Sequence, residues 1–404
     1  MNVPKLRFKE FDGEWEVVTL GEISKLSSSK RIHLSDYVNK GIPFYRGSEI
    51  SKGGVTGNQE LFISRELYEK IKAKYGVPQF NDLLVSAVGT LGNLWKVDER
   101  EFYYKDGNLI LISDLKADTD YIFSYFSDGF GKSRLIDSAA GSNQKALTMV
   151  KMRSVKVPLP SEKEQKKIGE FFGIMDKKLQ LQQQKIDLLQ EQKKGFLQKM
   201  FPKAGETQPE MRFDGFTGDW EVYKWVDTVD ISTNMVDPKN VEYDEFLHIG
   251  PGNIESFTGR ILDNVNTVKE DNLISGKFHF KAGDIIYGKI NPQLAKYTLV
   301  DFEGLASADA YILNAKNGIN QQYLYTILQG EKFYKYSVSV SMRTGMPKIN
   351  RDELNQYNYL APNLKEQQKI GEFFKGLDNK IEVQKRKLQL LQKQKQGFMQ
   401  QMFI

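Results

Sequence analysis

Two stretches, KEQKKIGEFFGIMDKKL (163–179) and KEQQKIGEFFKGLDNKI (365–381), carry nearly the same text 202 residues apart. From each, a series runs on at alternating spacings of four and three. The first is Ile168, Phe172, Met175, Leu179, Gln182, Ile186, Leu189, Lys193, Phe196 and Met200. The second is Ile370, Phe374, Leu377, Ile381, Gln384, Leu388, Leu391, Lys395, Phe398 and Met402, matching position for position. Strict four–three alternation is the heptad seam of a coiled coil. Leu181, Leu188 and Leu197, with Val383, Leu390 and Met399, are expected to widen the apolar stripe. Gln182 and Gln384 are expected to fix its register at some cost in stability. Pro160 and Pro362 precede the helices, and Ser161 and Asn363 follow as N-caps.

About 38 residues at 1.5 Å rise make a rod of roughly 57 Å. Such a rod must bury its stripe, and a matching stripe lies on the same chain. A full globular domain separates the two, enough chain for an antiparallel return. The reading is an antiparallel intrachain coiled coil, with a globular domain at each end and a pseudo-two-fold axis between. Packing of each helix on its own domain, or pairing between chains, is the alternative.

The repeat extends outward from the helices. Pro4, Arg7 and Phe8 lead to Phe11-x-Gly13-x-Trp15-Glu16-Val17, and the pattern returns at Pro209, Arg212, Phe213, Phe216, Gly218, Trp220, Glu221 and Val222. There the offset is 205; from Asp82 (matching Asp284) and Tyr121 (matching Tyr323) onward it is 202. The first copy is therefore longer between Trp15 and Asp82. The domains read as 1–158, a helix at 159–203, 204–361 and a second helix at 362–404. Within the globular parts, Leu83–Val88, Leu109–Ile112 and Ile285–Tyr287 read as buried strands, and Tyr121–Phe126 and Gln321–Leu328 as short helices. The fold class is α+β, with an irregular sheet in each of two tandem domains.

Composition narrows the function. Hydrophobic residues at 40% can build real cores, and no stretch is apolar and long enough for a membrane span. No signal-like apolar run follows the charges of MNVPKLRFKEF, so a soluble, cytoplasmic chain is expected. Cysteine is absent, which removes disulfides, thiolate metal sites and cysteine nucleophiles. The formal net charge is +5, yet residues 161–203 and 363–404 carry +4 and +5, leaving the remainder at −4. Any surface for an anionic partner on the globular domains must come from clustered Lys and Arg, or be shared with a partner.

Signatures of chemistry are missing. His33, His248 and His279 are scattered, without an HExxH pair, so no metal site is expected. Gly131-Lys132-Ser133 lacks the glycine that a phosphate loop needs at position 126, which is Phe. Ile290-Asn291-Pro292-Gln293 lacks the second proline and aromatic of an amino-methyltransferase signature. Glu191-x-Lys193 lies in the coiled coil with no upstream Pro-Asp, so half a nuclease motif stands alone. No catalytic residue, metal or cofactor is assigned to this chain.

The Phe-x-Gly-x-Trp opening, LLVSAVGTLG (83–92), AAGSNQKALTM (139–149), the Val-Pro-Leu-Pro run (157–160) and the KEQKKIGEFF helix start together resemble the specificity subunit of type I restriction-modification systems. The resemblance covers the whole chain. It implies two target-recognition domains, each binding half of a split double-stranded DNA site, and a helical spacer that docks two methyltransferase subunits. It also implies restriction/translocase subunits, with S-adenosylmethionine, ATP and Mg on the partners alone. The second copy departs from the first at Lys289-Ile290-Asn291-Pro292 and at Arg343-Thr344-Gly345-Met346-Pro347-Lys348, so individual base contacts do not transfer. The competing readings are a protein-binding coiled-coil adaptor and a fused methyltransferase or nuclease.

Phosphates are met by Lys, Arg, amides and hydroxyls, and base edges by Arg, Lys, Asn or Gln. In the first domain the candidates are Lys30, Arg31, Arg46, Ser86, Thr90, Asn143, Gln144 and Lys145. In the second they are Lys289, Asn291, Gln293, Lys296, Arg343, Thr344 and Lys348. Residues shared by both copies, such as Trp15 with Trp220, read as scaffold, because shared residues cannot tell two half-sites apart.

Overall fold

The computed structural model describes residues 2–51, 54–57, 60–141, 145–342 and 345–404. The chain forms two compact units, residues 1–183 with 387–404, and residues 184–386. Each long helix, Glu162–Lys199 and Leu364–Met402, begins in one unit and ends in the other.

The first unit is built on an antiparallel sheet in the order Lys25–Ser27, Leu109–Ser113, Leu83–Ser86, Leu94–Lys96. In the second unit the same sheet runs Val229–Ile231, Ala310–Ala315, Ile285–Gly288, Tyr297–Leu299. The inner strands Leu83–Ser86 and Ile285–Gly288 are buried along their length, so their text is continuous and apolar rather than alternating. A second four-stranded sheet follows in each unit, and its neighbour order differs between them. In that stretch the first copy forms helix Arg65–Tyr75, capped by Ser64, whereas the second unit has no α-helix between Ile249 and Lys277. Helices Thr119–Ser127 and Gln321–Gln329 stand where the sequence places them, capped by Asp118 and Asn320.

The shared text is the fastening of each domain to its helix. Strand Glu16–Thr19 pairs antiparallel with Lys156–Leu159, and Glu221–Lys224 with Asn358–Ala361, so each domain's beginning meets its end. Arg7 grips both oxygens of Glu164 at 2.7 Å and reaches the carbonyls of Asp12 and Gly13. Arg212 does the same with Glu366 at 2.7 Å and with Thr217 and Gly218. Gly13 and Gly218 take positive φ (76° and 85°), a conformation that strains a side chain and turns the loop onto the arginine. The next helix residue, Gln165 or Gln367, accepts from the backbone N–H of Asp118 or Asn320 and donates to the carbonyl of Pro160 or Pro362. Ser161 and Asn363 cap the helices as the sequence implies.

Gly169 and Gly371 complete the fastening. A Cβ on Gly169 would lie 2.8 Å from the backbone nitrogen of Tyr121, and one on Gly371 would lie 2.9 Å from Cβ of Gln322. Each helix runs that close to the start of its domain's short helix. Glycine costs a helix about 1 kcal/mol, which this approach offsets. Gly169→Ala is expected to destabilise by about 1–3 kcal/mol despite its better helix propensity, because backbone must shift. Chemical denaturation checks it, and a neutral or stabilising result would refute the packing argument.

Pairing of the long helices is antiparallel inside each unit. In the first, Phe171 meets Phe398 at 5.2 Å between ring centroids, Phe172 stacks on Phe403 at 5.4 Å, and Lys395 pairs with Asp176. In the second, Phe196 meets Phe373 at 5.0 Å, and Lys193 pairs with Asp378. Numbers rise on one helix as they fall on the other. Of the expected seam, Ile168, Phe172, Ile186, Ile370, Phe374, Leu377 and Ile381 are buried, and Met175, Leu179, Leu189, Leu388 and Leu391 half-buried. Gln182 is also buried. The two ion pairs are a register device that the sequence reading passed over. Leu181, Leu188, Val383 and Leu390 are exposed by 55–62% and do not widen the seam. A two-helix contact covers a narrow stripe, and residues one position off it stay in solvent.

Candidate nucleic-acid interface

In both units the inner strand of the main sheet runs into a turn, and that turn is stitched to the loop that follows a further helix, Gly129–Asp137 or Glu331–Ser341. The N–H of Leu147 donates to the carbonyl of Ala87 at 2.9 Å, and that of Ile349 to Lys289 at 3.0 Å. These pairs are 202 residues apart, so one backbone clasp serves both domains. The side chains around the clasp differ.

In the first unit Gly89 and Gly92 take positive φ and let the turn double back. Ser86 is 1% exposed; its hydroxyl donates to the carbonyl of Thr90 and accepts from the N–H of Asn93. The Ser86 hydroxyl thus braces the turn, leaving Thr90 exposed at its tip. Ala140 and Ala146 bridge across the base of the neighbouring loop, with Lys145 exposed beside them. Asn143 and Gln144 lie outside the described residues. Gly47 sits against the carbonyls of Val88 and Asn108, which brings the Arg46 segment to the same edge. The Arg46 guanidinium is committed to buried Glu49 and to Glu60, and bonding to Glu49 pushes its pKa further up. Arg31 pairs at 3.0 Å with Asp106 yet remains exposed, and Lys30 lies over the Tyr75 ring at 4.8 Å.

In the second unit a tight turn replaces the glycines. Asn291 and Ala295 adopt left-handed backbone (φ 51° and 45°) on either side of Pro292–Leu294. The N–H of Asn291 donates to the carbonyl of Pro347, and Ile290 bridges to Lys348, so both candidate loops of this domain come together. Gln293 and Lys348 are exposed. The Lys296 ammonium donates to the carbonyl of Ile254 and is spent on holding that loop. Lys289 lies over the Tyr311 ring at 5.4 Å, and Arg351 over the same ring at 5.5 Å. Arg343 and Thr344 lie outside the described residues. Sequence reasoning missed Tyr311 and Arg351. Superimposing the two copies would have found Arg351, since Met149 stands at that position in the first.

Among the described residues, no three of His, Asp and Glu gather as a metal-holding group. His248 bonds to Asp271 at 2.6 Å and His279 to Glu303 at 2.8 Å. No described helix is long and apolar enough to cross a membrane.

Comparison with known proteins agrees with this architecture. The family model for the type I restriction modification DNA specificity domain matches twice, at residues 12–191 and 217–393. The EcoDI specificity subunit of Escherichia coli is 34% identical over 151 residues, which span 37% of this chain and 33% of that protein. The MjaVIII specificity subunit of Methanocaldococcus jannaschii is 23% identical over 414 residues, covering 97% of this chain and 94% of that one. The crystal structure of a type I system S subunit from M. genitalium covers 100% of this chain at 13% identity, with a TM-score of 0.66. A repeated family match over most of the chain, laid on two copies of one fold, leads to a single conclusion: the chain belongs to the type I restriction-modification DNA specificity family.

Proposed function

We propose that each globular domain reads one half of a bipartite DNA target, and that this chain performs no chemistry itself. One observation carries the reading. Both domains gather two loops at the end of the main sheet through the same backbone clasp, and furnish that edge with different side chains. A common frame with divergent loops is what two recognition modules for two different half-sites require. Exposed Thr90, Lys145, Arg31 and Lys30 are offered in one domain, and exposed Gln293 and Lys348 with half-buried Lys289 and Asn291 in the other.

The partners follow from the family. We assign methylation to methyltransferase subunits docked on the long helices, and cleavage to restriction/translocase subunits; S-adenosylmethionine, ATP and Mg belong to them. The adaptor alternative is tested by mobility shift with bipartite duplexes, with and without the methyltransferase partner. Sequence-dependent retention supports the DNA reading, and its absence in both arms refutes it.

The helices are assigned the task of setting the gap between half-sites. Inserting four residues near the start of the first long helix is expected to lengthen the tolerated gap and leave both half-sites unchanged. Methylome sequencing decides: altered half-site letters with a constant gap would refute the spacer role. Exchange of residues 16–159 should change one half-site only.

A further inference from the structure

We propose that Lys289, Lys348 and Arg351, gathered around Tyr311, form a clamp for a nucleic-acid backbone phosphate that the second domain possesses and the first lacks. The inference rests on the DNA-binding reading above and assigns this cluster its role within it.

Three elements converge here. Lys289 leaves the end of strand Ile285–Gly288, Tyr311 stands on the adjacent strand Ala310–Ala315, and Arg351 opens the short helix Arg351–Asn355. Lys289 and Arg351 share the Tyr311 ring at 5.4 and 5.5 Å, and the bridge between Ile290 and Lys348 brings the third cation to the same edge. Tyr311 is itself anchored, its hydroxyl donating to the carbonyl of Ile349.

The cluster has no directly paired counter-ion. Among the described residues, none of the three cations forms an ion pair with a carboxylate, although Asp309 lies near enough to act on Lys289. Burial and then the neighbouring charges of Lys348 and Arg351 lower the pKa of Lys289, with Asp309 opposing them. Half-buried Lys289 and Arg351, held beside exposed Lys348 without an ion-paired carboxylate, are costly. A bound anion removes that cost.

The donors decide which anion. Arg351 spends its two terminal nitrogens on the carbonyls of Ile231 and Ser232, at 2.7 and 2.6 Å. It keeps its charge, and the fork of these two nitrogens is turned to those carbonyls rather than to a guanine edge. Lys289 and Lys348 are compact point charges, suited to a phosphate oxygen. An electrostatic seat without a directional fork positions a backbone and carries no base information. At the equivalent places the first domain has Ala87, Leu109, Ala146 and Met149, so its edge offers no such seat.

The test uses the chain in its methyltransferase complex and a 30-bp duplex of random sequence, with affinity measured across a salt series. Lys289→Gln and Lys348→Gln are each expected to lower the slope of log K against log[salt] by about 1 and to weaken binding on every sequence alike. Lys289→Gln should melt no lower than the parent, so that weaker binding is not unfolding. An unchanged slope, or a loss confined to particular sequences, overturns the clamp while leaving the DNA reading intact. If the parent complex itself fails to bind duplex, the DNA reading fails. Inorganic phosphate provides the second arm: if it raises the melting point of the parent but not of Lys289→Gln, while duplex slopes stay equal, the seat serves a free anion and the proposal is wrong.

Discussion

Replacing Arg212 with alanine is expected to cost about 3–5 kcal/mol, because it strands a carboxylate in the interior. Glu366 is fully buried, and both of its oxygens are held by the Arg212 guanidinium. The same arginine also draws in the carbonyls of Thr217 and Gly218, so its loss frees the loop that leads into strand Glu221–Lys224. Glu366 lies in the first turn of the long helix, where a negative charge is favourable but not enough to balance desolvation. Arg7→Ala should act likewise on Glu164 in the first unit. Urea denaturation measures the loss. The double variant Arg212→Met with Glu366→Leu tests the cause, since removing both charges should recover most of the stability. If the double variant were as unstable as the single one, loop packing rather than the stranded charge would be responsible.

The second large effect belongs to the helix seam. Lys193 is 8% exposed and pairs with Asp378, which also accepts from Gln329. Burial lifts the Asp378 carboxyl above the usual aspartate range, against the opposing pull of Lys193 and Gln329. Lys193→Met removes the larger opposing pull and should cost about 2–3 kcal/mol at neutral pH, less than a fully buried pair because Asp378 keeps some contact with solvent. The sign of the pH dependence follows. A carboxyl whose folded pKa lies above its unfolded value contributes stability that is fully present below the unfolded value and is lost as pH rises through the folded one. The deficit of Lys193→Met should therefore shrink as pH falls from 7 towards 4, as the carboxyl takes up its proton. Denaturation curves at both ends of that range decide it. A deficit independent of pH would mean that Asp378 is not its source.

The residues of this seam show what could be read in the sequence and what could not. Apolar side chains at helical period and a constant offset are written linearly, so the helices, their pairing direction and the doubled domain were all legible. So were the strand at Leu83 and the helix at Tyr121, whose short apolar runs are bounded by turn residues. Lys193 and Lys395 stand at seam positions too, but their meaning depends on Asp378 and Asp176, each from the opposite helix. A partner about 200 residues away leaves no local mark. The candidate interface suffered in the same way. Ser86 and Arg46 have the chemistry of DNA contacts, yet one braces a turn and the other is held by Glu49. Exposure is decided by tertiary neighbours, and residue type alone cannot report it. Tyr311 was hidden for the opposite reason: in a run of strand residues it reads as core, and indeed its ring is buried beneath the two cations that it carries.

The duplicated fastening has a genetic corollary. Arg7 with Glu164 and Arg212 with Glu366 close their domains with identical partners, and Asp176 and Lys193 recur as Asp378 and Lys395. An unequal crossover between the gene segments for 163–172 and 365–374 would excise 202 codons and leave every one of these partners represented once. The product would hold one head and one helix bearing both an aspartate and a lysine, each facing a missing mate. Two such half-length chains would supply each other's mates, and their identical heads would turn an asymmetric target into a palindrome.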